Sequence, residues 1–478
     1  MSHHQHGTDT EPRSGEGSPL SPNKSVNLTI DGIPVTVPEG TRILEAAKKA
    51  NVNIPTLCEH PHLCKRALCR ICVVECDGRG KLAAACANDV WEGVSIVTNN
   101  QRLFNIRKTI IEMILANHPQ DCLSCIKNKR CELQSLAKSH GVFSSSFQNN
   151  AEEKPPVIES GTIVRDMSKC VKCGRCVEVC QEVQTKQAID TSHRSYEYEI
   201  STPYKQALSD GPCVFCGGCA VVCPVGAIYE HDQTAEVRAA LNNREYKTIA
   251  QVSPALAGAV SVELNLTAET VTPGKLIAAI KLLGFDKIYN ADISANAAYS
   301  EIAGEIQQRI KNGNAKLPVI SGCSEGVGNF IKNSYPDLVD HLVVIKNPRR
   351  AFDGSIKAFY AGEAGIDIQK TAAVSFVPCT AHKYRTGAVE KTDFALTAGE
   401  LARMIKLAGI VIETLPEESF DTINIDLLSQ ESSVKPAERK IVYGFADAHK
   451  VMETVRKGEC DTQWVEIFSC PESCHAAN

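Results

Sequence analysis

The chain has 478 residues, room for several domains, with a formal net charge of −5 and 22 cysteines. The mild acidity argues against a nucleic-acid partner, which would draw a basic excess. No run of about 18 residues is uninterruptedly apolar, so no membrane span is expected. The opening "MSHHQHGTDTEPRSGEGSPLSPNKS" lacks the apolar stretch of a signal peptide and reads as a disordered tail over 1–25. A long chain without an export signal, its cysteines packed into C-x2-C runs, is not a secreted disulfide framework. Thiolates two residues apart suit one metal centre, so the expectation is a cytoplasmic iron–sulfur protein.

Residues 26–99 come first. "VNLTID" and "IPVTVP" alternate in polarity around Asp31-Gly32, a hairpin signal. "TRILEAAKKANV" spaces Ile43, Leu44, Ala47 and Ala50 as a helix does. Cys58, Cys69 and Cys72 then fall in a loop, and Cys86 lies beyond a short strand. Two strands, a helix and a cysteine loop make a β-grasp 2Fe–2S ferredoxin pattern, with those four cysteines as ligands. The gaps of ten and thirteen residues exceed those of the plant-type run. Cys64 and Cys76 read as filler.

Over 100–145, "LFNIRKTIIEMILANHPQDCLSCIKNKRC" places Leu103, Ile106, Ile110, Ile114 and Leu115 on one helical face. A histidine just past a helix is usually a polar end-group. Here Cys122, Cys125 and Cys131 follow His118 directly, which makes it a candidate ligand of a 4Fe–4S cluster.

Over 146–240, "CVKCGRCVEVC" and "CVFCGGCAVVCP" repeat C-x2-C-x2-C-x3-C, the two-cluster bacterial ferredoxin run. In that fold the fourth cysteine of each run ligates the other cluster. Cys170, Cys173 and Cys176 therefore pair with Cys223, and Cys213, Cys216 and Cys219 with Cys180. Zinc favours paired arms over triplets. Gly174, Gly217 and Gly218 let backbone amides approach the cluster sulfides. The insert "QEVQTKQAIDTSHRSYEYEISTPYKQALSD" is expected to form a hairpin and a helix.

From about Tyr246, strands and helices alternate. "YKTIAQVSP" and "DKIYNAD" read as strands, and "TPGKLIAAIKLLG" as a helix with Pro273 near its start and Gly284 at its end. "LPVISGC", "AAVSFVPC" and "WVEIFSC" are apolar runs that each end on a cysteine. Ligands gather at the carboxyl ends of strands in α/β sheets, so Cys323, Cys379, Cys470 and Cys474 are expected to share one site. Cys460 reads as a bystander.

These motifs resemble the FeFe hydrogenase large-subunit family. The N-terminal spacing and the H-x3-C-x2-C-x5-C run are similar to those of that family and of the complex I iron–sulfur subunit. "FVPCTAHKYR" and "FSCPESCHAAN" resemble the second and third hydrogenase signatures. The departures are specific. The first signature carries two adjacent cysteines, a proton relay and a cubane ligand of the H-cluster. Cys323 falls on the relay position and Ser324 on the ligand position, and a hydroxyl is a poor iron ligand. His382 stands where the family's lysine holds a cyanide of the binuclear iron, with Lys383 one residue on. Glu305 matches one relay glutamate, but Ile302 occupies the other and Val343 a relay serine. Val377 and Phe468 replace family methionines, and the chain stops four residues after Cys474.

The implied architecture is α+β and multidomain: a β-grasp ferredoxin, a His/Cys 4Fe–4S helical segment, a two-cluster ferredoxin and, over 246–478, a degenerate α/β hydrogenase-like domain. The implied cofactors are one 2Fe–2S and three 4Fe–4S clusters. Three states remain for the C-terminal cysteines, in this order: a fourth 4Fe–4S cluster, an empty pocket, or an H-cluster. No G-x-G-x-x-G stands in a strand–helix context, so no flavin or nicotinamide site is expected on this chain. The resemblance implies partners: a flavoprotein NAD(H)-oxidising subunit, ferredoxin, and an NADP-dependent flavoprotein. The function read is an electron-transfer subunit of a bifurcating oxidoreductase, a transhydrogenase in first place. An active hydrogenase, a formate dehydrogenase-linked subunit and a redox sensor are the alternatives.

Overall fold

The computed structural model describes residues 24–63, 67–77, 81–147, 157–312, 316–343, 357–358, 360–362, 364–383, 394–422 and 439–470. The chain divides into two compact units, residues 1–117 with 132–149, and residues 118–131 with 150–478.

In the first unit, strands β1 (Ser25–Ile30) and β2 (Ile33–Pro38) form the expected hairpin. Asp31 and Gly32 both take positive φ, 48° and 81°, as a two-residue primed turn requires. Helix α1 (Ile43–Lys49) follows, then β3 (Val73–Cys76), β4 (Lys81–Ala84) and β5 (Ser95–Val97). The sheet order is β2-β1-β5-β3-β4, with β1 and β5 parallel. Ile43, Leu44 and Ala47 of α1 pack against Leu28, Ile30, Val74 and Ile96. Cys76 lies in that core, together with Cys72 and Cys86.

Helix α2 (Gln101–Ala116) is capped by the Asn100 side chain, which accepts from Leu103 N at 2.8 Å, and packs against α3 (Glu132–Ser139). Its buried face differs from the expected one. It runs through Leu103, Arg107 and Ile111, and Ile106, Ile110, Ile114 and Leu115 are only half-buried. The cause is Arg107, whose buried guanidinium donates to the carbonyls of Ile71 (3.2 Å), Val73 (2.7 Å) and Thr98 (2.8 Å).

The second unit opens its ferredoxin-like part with β6 (Ile158–Ser160) and β7 (Ile163–Arg165), which join β10 (Ile228–Glu230) in an antiparallel sheet ordered β10-β7-β6. The two cysteine runs have the same backbone. Lys172 and Phe215 both sit at φ 54°, and Gly174 and Gly217 both at φ 79°. Each glycine leads into a short helix, α4 (Arg175–Glu178) or α5 (Gly218–Val221). In the insert, β8 (Asp190–Ser192) and β9 (Glu199–Ser201) form the hairpin. The expected helix is absent. Single 3-10 turns stand there instead, because Tyr204 and Lys205 after Pro203 take φ 54° and 58°, which an α-helix does not admit.

Helix α6 (Thr234–Asn242) leads into two parallel sheets. One is ordered β12-β11-β14-β15, from β11 (Lys247–Val252), β12 (Lys287–Asn290), β14 (Thr371–Val377) and β15 (Phe394–Thr397). The other is β13-β17-β16, from β13 (Val319–Gly322), β16 (Arg439–Tyr443) and β17 (Trp464–Phe468). Helices α7 (Leu256–Leu264), α8 (Pro273–Leu282), α9 (Asp292–Lys311), α10 (Glu325–Ser334), α11 (Thr380–Lys383), α12 (Ala398–Leu407) and α13 (Phe445–Arg456) connect and cover them. Thr272 caps α8 from Oγ1, and Thr397 with Glu400 forms a capping box on α12. Every residue of β14 is buried, as in a strand covered on both faces. Ile320, Val327, Phe330, Phe445 and Ile467 form the core of the smaller sheet, and Val214 of the ferredoxin-like part belongs to it. Among the described residues no helix is long and apolar enough to cross a membrane.

Candidate metal centres

In the first unit the cysteine loop curls through positive φ at Ala67 and Arg70 and brings Cys58, Cys69, Cys72 and Cys86 together. Cys69 N approaches Cys58 Sγ at 3.5 Å. The Cys58 thiol is pulled down in pKa, first by its hydrogen bond from Cys69 and then by that from Cys86, while Cys69 and Cys86 as donors are pushed up. Four sulfurs sharing protons among themselves form a donor set in which iron would take the protons' place. Arg107 fixes the Ile71 and Val73 carbonyls on either side of Cys72.

In the second unit, His118 is half-buried, and its Nδ1 is buried with no hydrogen-bond partner. Burial, the first cause, lowers its pKa and keeps the ring neutral, the state in which imidazole ligates metals. Tight turns carry Cys122 and Cys125, with Cys125 N on the Cys122 carbonyl at 3.3 Å. The loop is seated closely: a Cβ on Gly226 would fall 2.8 Å from Cys125 Sγ.

The ferredoxin-like part holds two small cavities. Cys170, Cys173, Cys176 and Cys223 line one, and Cys180, Cys213, Cys216 and Cys219 line the other. In each cavity one cysteine comes from the other run. Backbone amides already point at the sulfurs: Lys172 N to Cys170 Sγ (3.4 Å), Phe215 N to Cys213 Sγ (3.4 Å) and Ala188 N to Cys180 Sγ (3.3 Å). Burial pushes the thiols up, Cys170 and Cys216 to about 11, Cys173 and Cys213 to about 12. A strongly positive centre is what would make such buried thiols ionise. Among the described residues no group of His, Cys, Asp or Glu converges on a point suited to a single ion. In the ferredoxin-like part the thiols line two small cavities.

Three buried cations near these sites are not legible in the sequence as site residues: Arg165, whose Nε has no partner, Arg175 and Lys186. Lys186 lines the second cavity. Its Nζ lies 3.8 Å from the Phe330 ring centre and 4.4 Å from that of Phe445. The only available signal is a cation next to a cysteine run, as in "TIVRD" and "QTKQA", and surface cations share it.

The C-terminal cysteines divide between the two sheets. Cys323 and Cys470 follow neighbouring strands β13 and β17, and Ser469 N approaches Cys323 Sγ at 3.5 Å. Ser324 Oγ lies 3.5 Å from Ser469 Oγ. Cys379 follows β14 in the other sheet, with His382 Nδ1 3.2 Å from its sulfur. Helices α10 and α11, which begin just after Cys323 and Cys379, touch each other. Cys474 lies outside the described residues, as does Cys64. Lys383 turns away from Cys379 into a buried ion pair with Glu400, at 2.6 Å. Ile302 joins Ile306, Val319 and Trp464 in one apolar cluster, with Val343 packed against it. Glu305 pairs with Arg309 at 2.9 Å.

The second ferredoxin-like cavity abuts both sheets. A Cβ on Gly326 would overlap the Val214 carbonyl, and one on Gly217 would overlap Thr380 Oγ1, which donates to the Phe215 carbonyl at 3.0 Å. Cys216 packs against the same core as Cys323 and shares a cleft of about 360 Å³ with Cys379.

Four family descriptions match in chain order: "2Fe-2S iron-sulfur cluster binding domain" over 23–101, "NADH-ubiquinone oxidoreductase-G iron-sulfur binding region" over 107–146, "NADH-quinone oxidoreductase subunit 3, ferredoxin-like domain" over 160–229, and "Iron only hydrogenase large subunit, C-terminal domain" over 246–434. The NADP-reducing hydrogenase subunit HndD of Solidesulfovibrio fructosivorans is 36% identical, across 83% of this chain and 71% of that protein. Iron hydrogenase 1 of Clostridium pasteurianum is 29% identical, across 82% and 70%. The NADPH-Fe(3+) oxidoreductase subunit alpha of Geobacter sulfurreducens (strain DL-1 / KN400) is 34% identical, across 42% of this chain and 24% of that protein. The chain thus carries a 2Fe–2S domain and 4Fe–4S-binding domains ahead of a hydrogenase-like domain.

Proposed function

The chain belongs to the iron-only hydrogenase large-subunit family, and from that premise we propose that it is the iron–sulfur electron-transfer subunit of a soluble, electron-bifurcating oxidoreductase without hydrogen chemistry of its own. In this reading a flavoprotein partner oxidises NADH, ferredoxin is a second redox partner, and an NADP-dependent flavoprotein makes the whole a transhydrogenase. The likeness to HndD, a subunit of an NADP-reducing hydrogenase, supports the NADP link.

Cys58, Cys69, Cys72 and Cys86 would hold the 2Fe–2S cluster, and His118 with Cys122, Cys125 and Cys131 a 4Fe–4S cluster. The cavity of Cys170, Cys173, Cys176 and Cys223 would hold the second 4Fe–4S cluster, and that of Cys180, Cys213, Cys216 and Cys219 the third. When bound, these centres supply one-electron transfer. The exchange of Cys180 and Cys223 between runs carries the reading, since it builds two four-thiol cavities from one duplicated motif. Val214 and Phe215 seat the last cavity against both C-terminal sheets.

Three features support the loss of hydrogen chemistry. Ser324 presents a hydroxyl where the family presents a thiolate. Lys383 is committed to Glu400. Ile302 and Val343 share an apolar cluster, and hydrocarbon passes no proton.

Iron analysis of the anaerobically purified chain tests the assignment. About 14 iron per chain corresponds to the four N-terminal clusters, and about 18 adds a fourth cubane on Cys323, Cys379, Cys470 and Cys474. The purified complex is expected to reduce NADP with NADH and reduced ferredoxin and to evolve no hydrogen. About 20 iron, with carbon monoxide and cyanide infrared bands and hydrogen evolution lost in Cys379→Ala, would overturn the proposal in favour of an active hydrogenase.

A further inference from the structure

Arg165 closes strand β7 with 2% of its surface exposed, in a part of the chain that the functional reading fills with two clusters. Its Nη1 donates to Thr202 Oγ1 at 3.3 Å, and its Nε has no partner. Among the described residues no carboxylate pairs with it. A buried guanidinium without a counter-charge is costly, so a negative charge must come from somewhere nearby.

The sheet shows where. Ile163, two residues back on the same face of β7, lines the cavity of Cys180, Cys213, Cys216 and Cys219. Ile228 of β10, the register partner of Arg165, lines the cavity of Cys170, Cys173, Cys176 and Cys223. Four thiols, two from each cavity, act on the guanidinium: Cys176, Cys219, Cys170 and Cys213. Lys186, by contrast, faces only the second group, through Cys180 and Cys216.

We propose that Arg165 is the shared counter-charge of the two four-iron sites and sets their reduction potentials together. The inference rests on the ligand assignment above. A cubane on four thiolates is anionic and becomes more so on reduction, so a fixed cation between two such sites favours the reduced state of both. Arginine suits the task because it stays charged at any working pH.

The test is a potentiometric titration followed by electron paramagnetic resonance, on the full chain with its iron counted. Arg165→Gln is expected to lower both midpoint potentials. A tenfold loss in the ratio of reduced to oxidised cluster at fixed potential corresponds to about 59 mV for a one-electron couple. Arg165→Lys should hold both near the wild-type values. Thr202→Asp keeps the arginine but sets a carboxylate against its Nη1, so it should lower both as well, and it serves if Arg165→Gln does not take up iron. Lys186→Met should move one potential only. Loaded Arg165→Gln or Thr202→Asp protein with unchanged potentials, or with a single site shifted, would overturn the proposal. A wild-type chain that binds no iron at Cys170–Cys223 would instead overturn the functional reading beneath it.

Discussion

Lys383 is the residue whose structural role departs most from its place in the sequence. It stands beside the position where relatives hold a cofactor ligand, yet its ammonium is buried against Glu400, which is itself 0% exposed, and donates to the His231 carbonyl at 2.5 Å. Glu400 also receives the backbone amides of Thr397 (2.7 Å) and Gln233 (3.0 Å). Lys383→Met would strand a carboxylate in the interior, so it should cost about 3–5 kcal/mol in urea unfolding of the full chain. A loss within about 0.5 kcal/mol, the range of ordinary surface changes, would mean that the pair does not hold the domain. Neither this pair nor the bonds of Arg107 can be read from sequence. A charged side chain is taken to point outward until its partner is known, and for Arg107 the partners lie up to 36 residues away. The cysteine runs are legible for the opposite reason, because their spacing is local in sequence.

At the scale of elements, hydrophobic period and caps locate the helices well, as in α8 behind Thr272 and Pro273. They do not say which strands share a sheet. β13, β14 and β17 look alike in sequence, but β14 belongs to one sheet and the other two to the second. Strand order is a non-local property, and the expectation of one common cysteine site depends on it. Helix α10 offers a check on how the ferredoxin-like part docks. Gly326→Ala should destabilise by about 1–3 kcal/mol, because its Cβ would meet the Val214 backbone and backbone cannot step aside. Gly328→Ala, two residues on, meets only Leu342 Cδ2 at 3.8 Å and should stabilise by about 0.5–1 kcal/mol through helix propensity. Thermal unfolding of the two variants side by side gives the answer. Equal effects would deny the close approach at Val214.

For the molecule as a whole, the proposed metal sites would also be structural. The cavities of the second unit are lined by thiols whose pKa burial raises. Metal-binding energy at such sites is folding energy. Anaerobic removal of iron by a chelator should therefore lower the main calorimetric transition by about 10 °C or more, at roughly 2–4 °C per kcal/mol for a domain of this size. An unchanged transition would show that the scaffold stands without its metal.

The cluster around Ile302 bears on what substitution there can achieve. Ile302 packs with Val319 and Trp464, and Val343 lies against them, so a polar group introduced at either position would enter an apolar cluster. Ile302→Glu alone would place a carboxylate in dry surroundings at a cost of several kcal/mol. Val343→Ser would set a hydroxyl against the same apolar cluster. The packing at Ile302 and Val343 thus resists polar substitution whichever of the two is changed first.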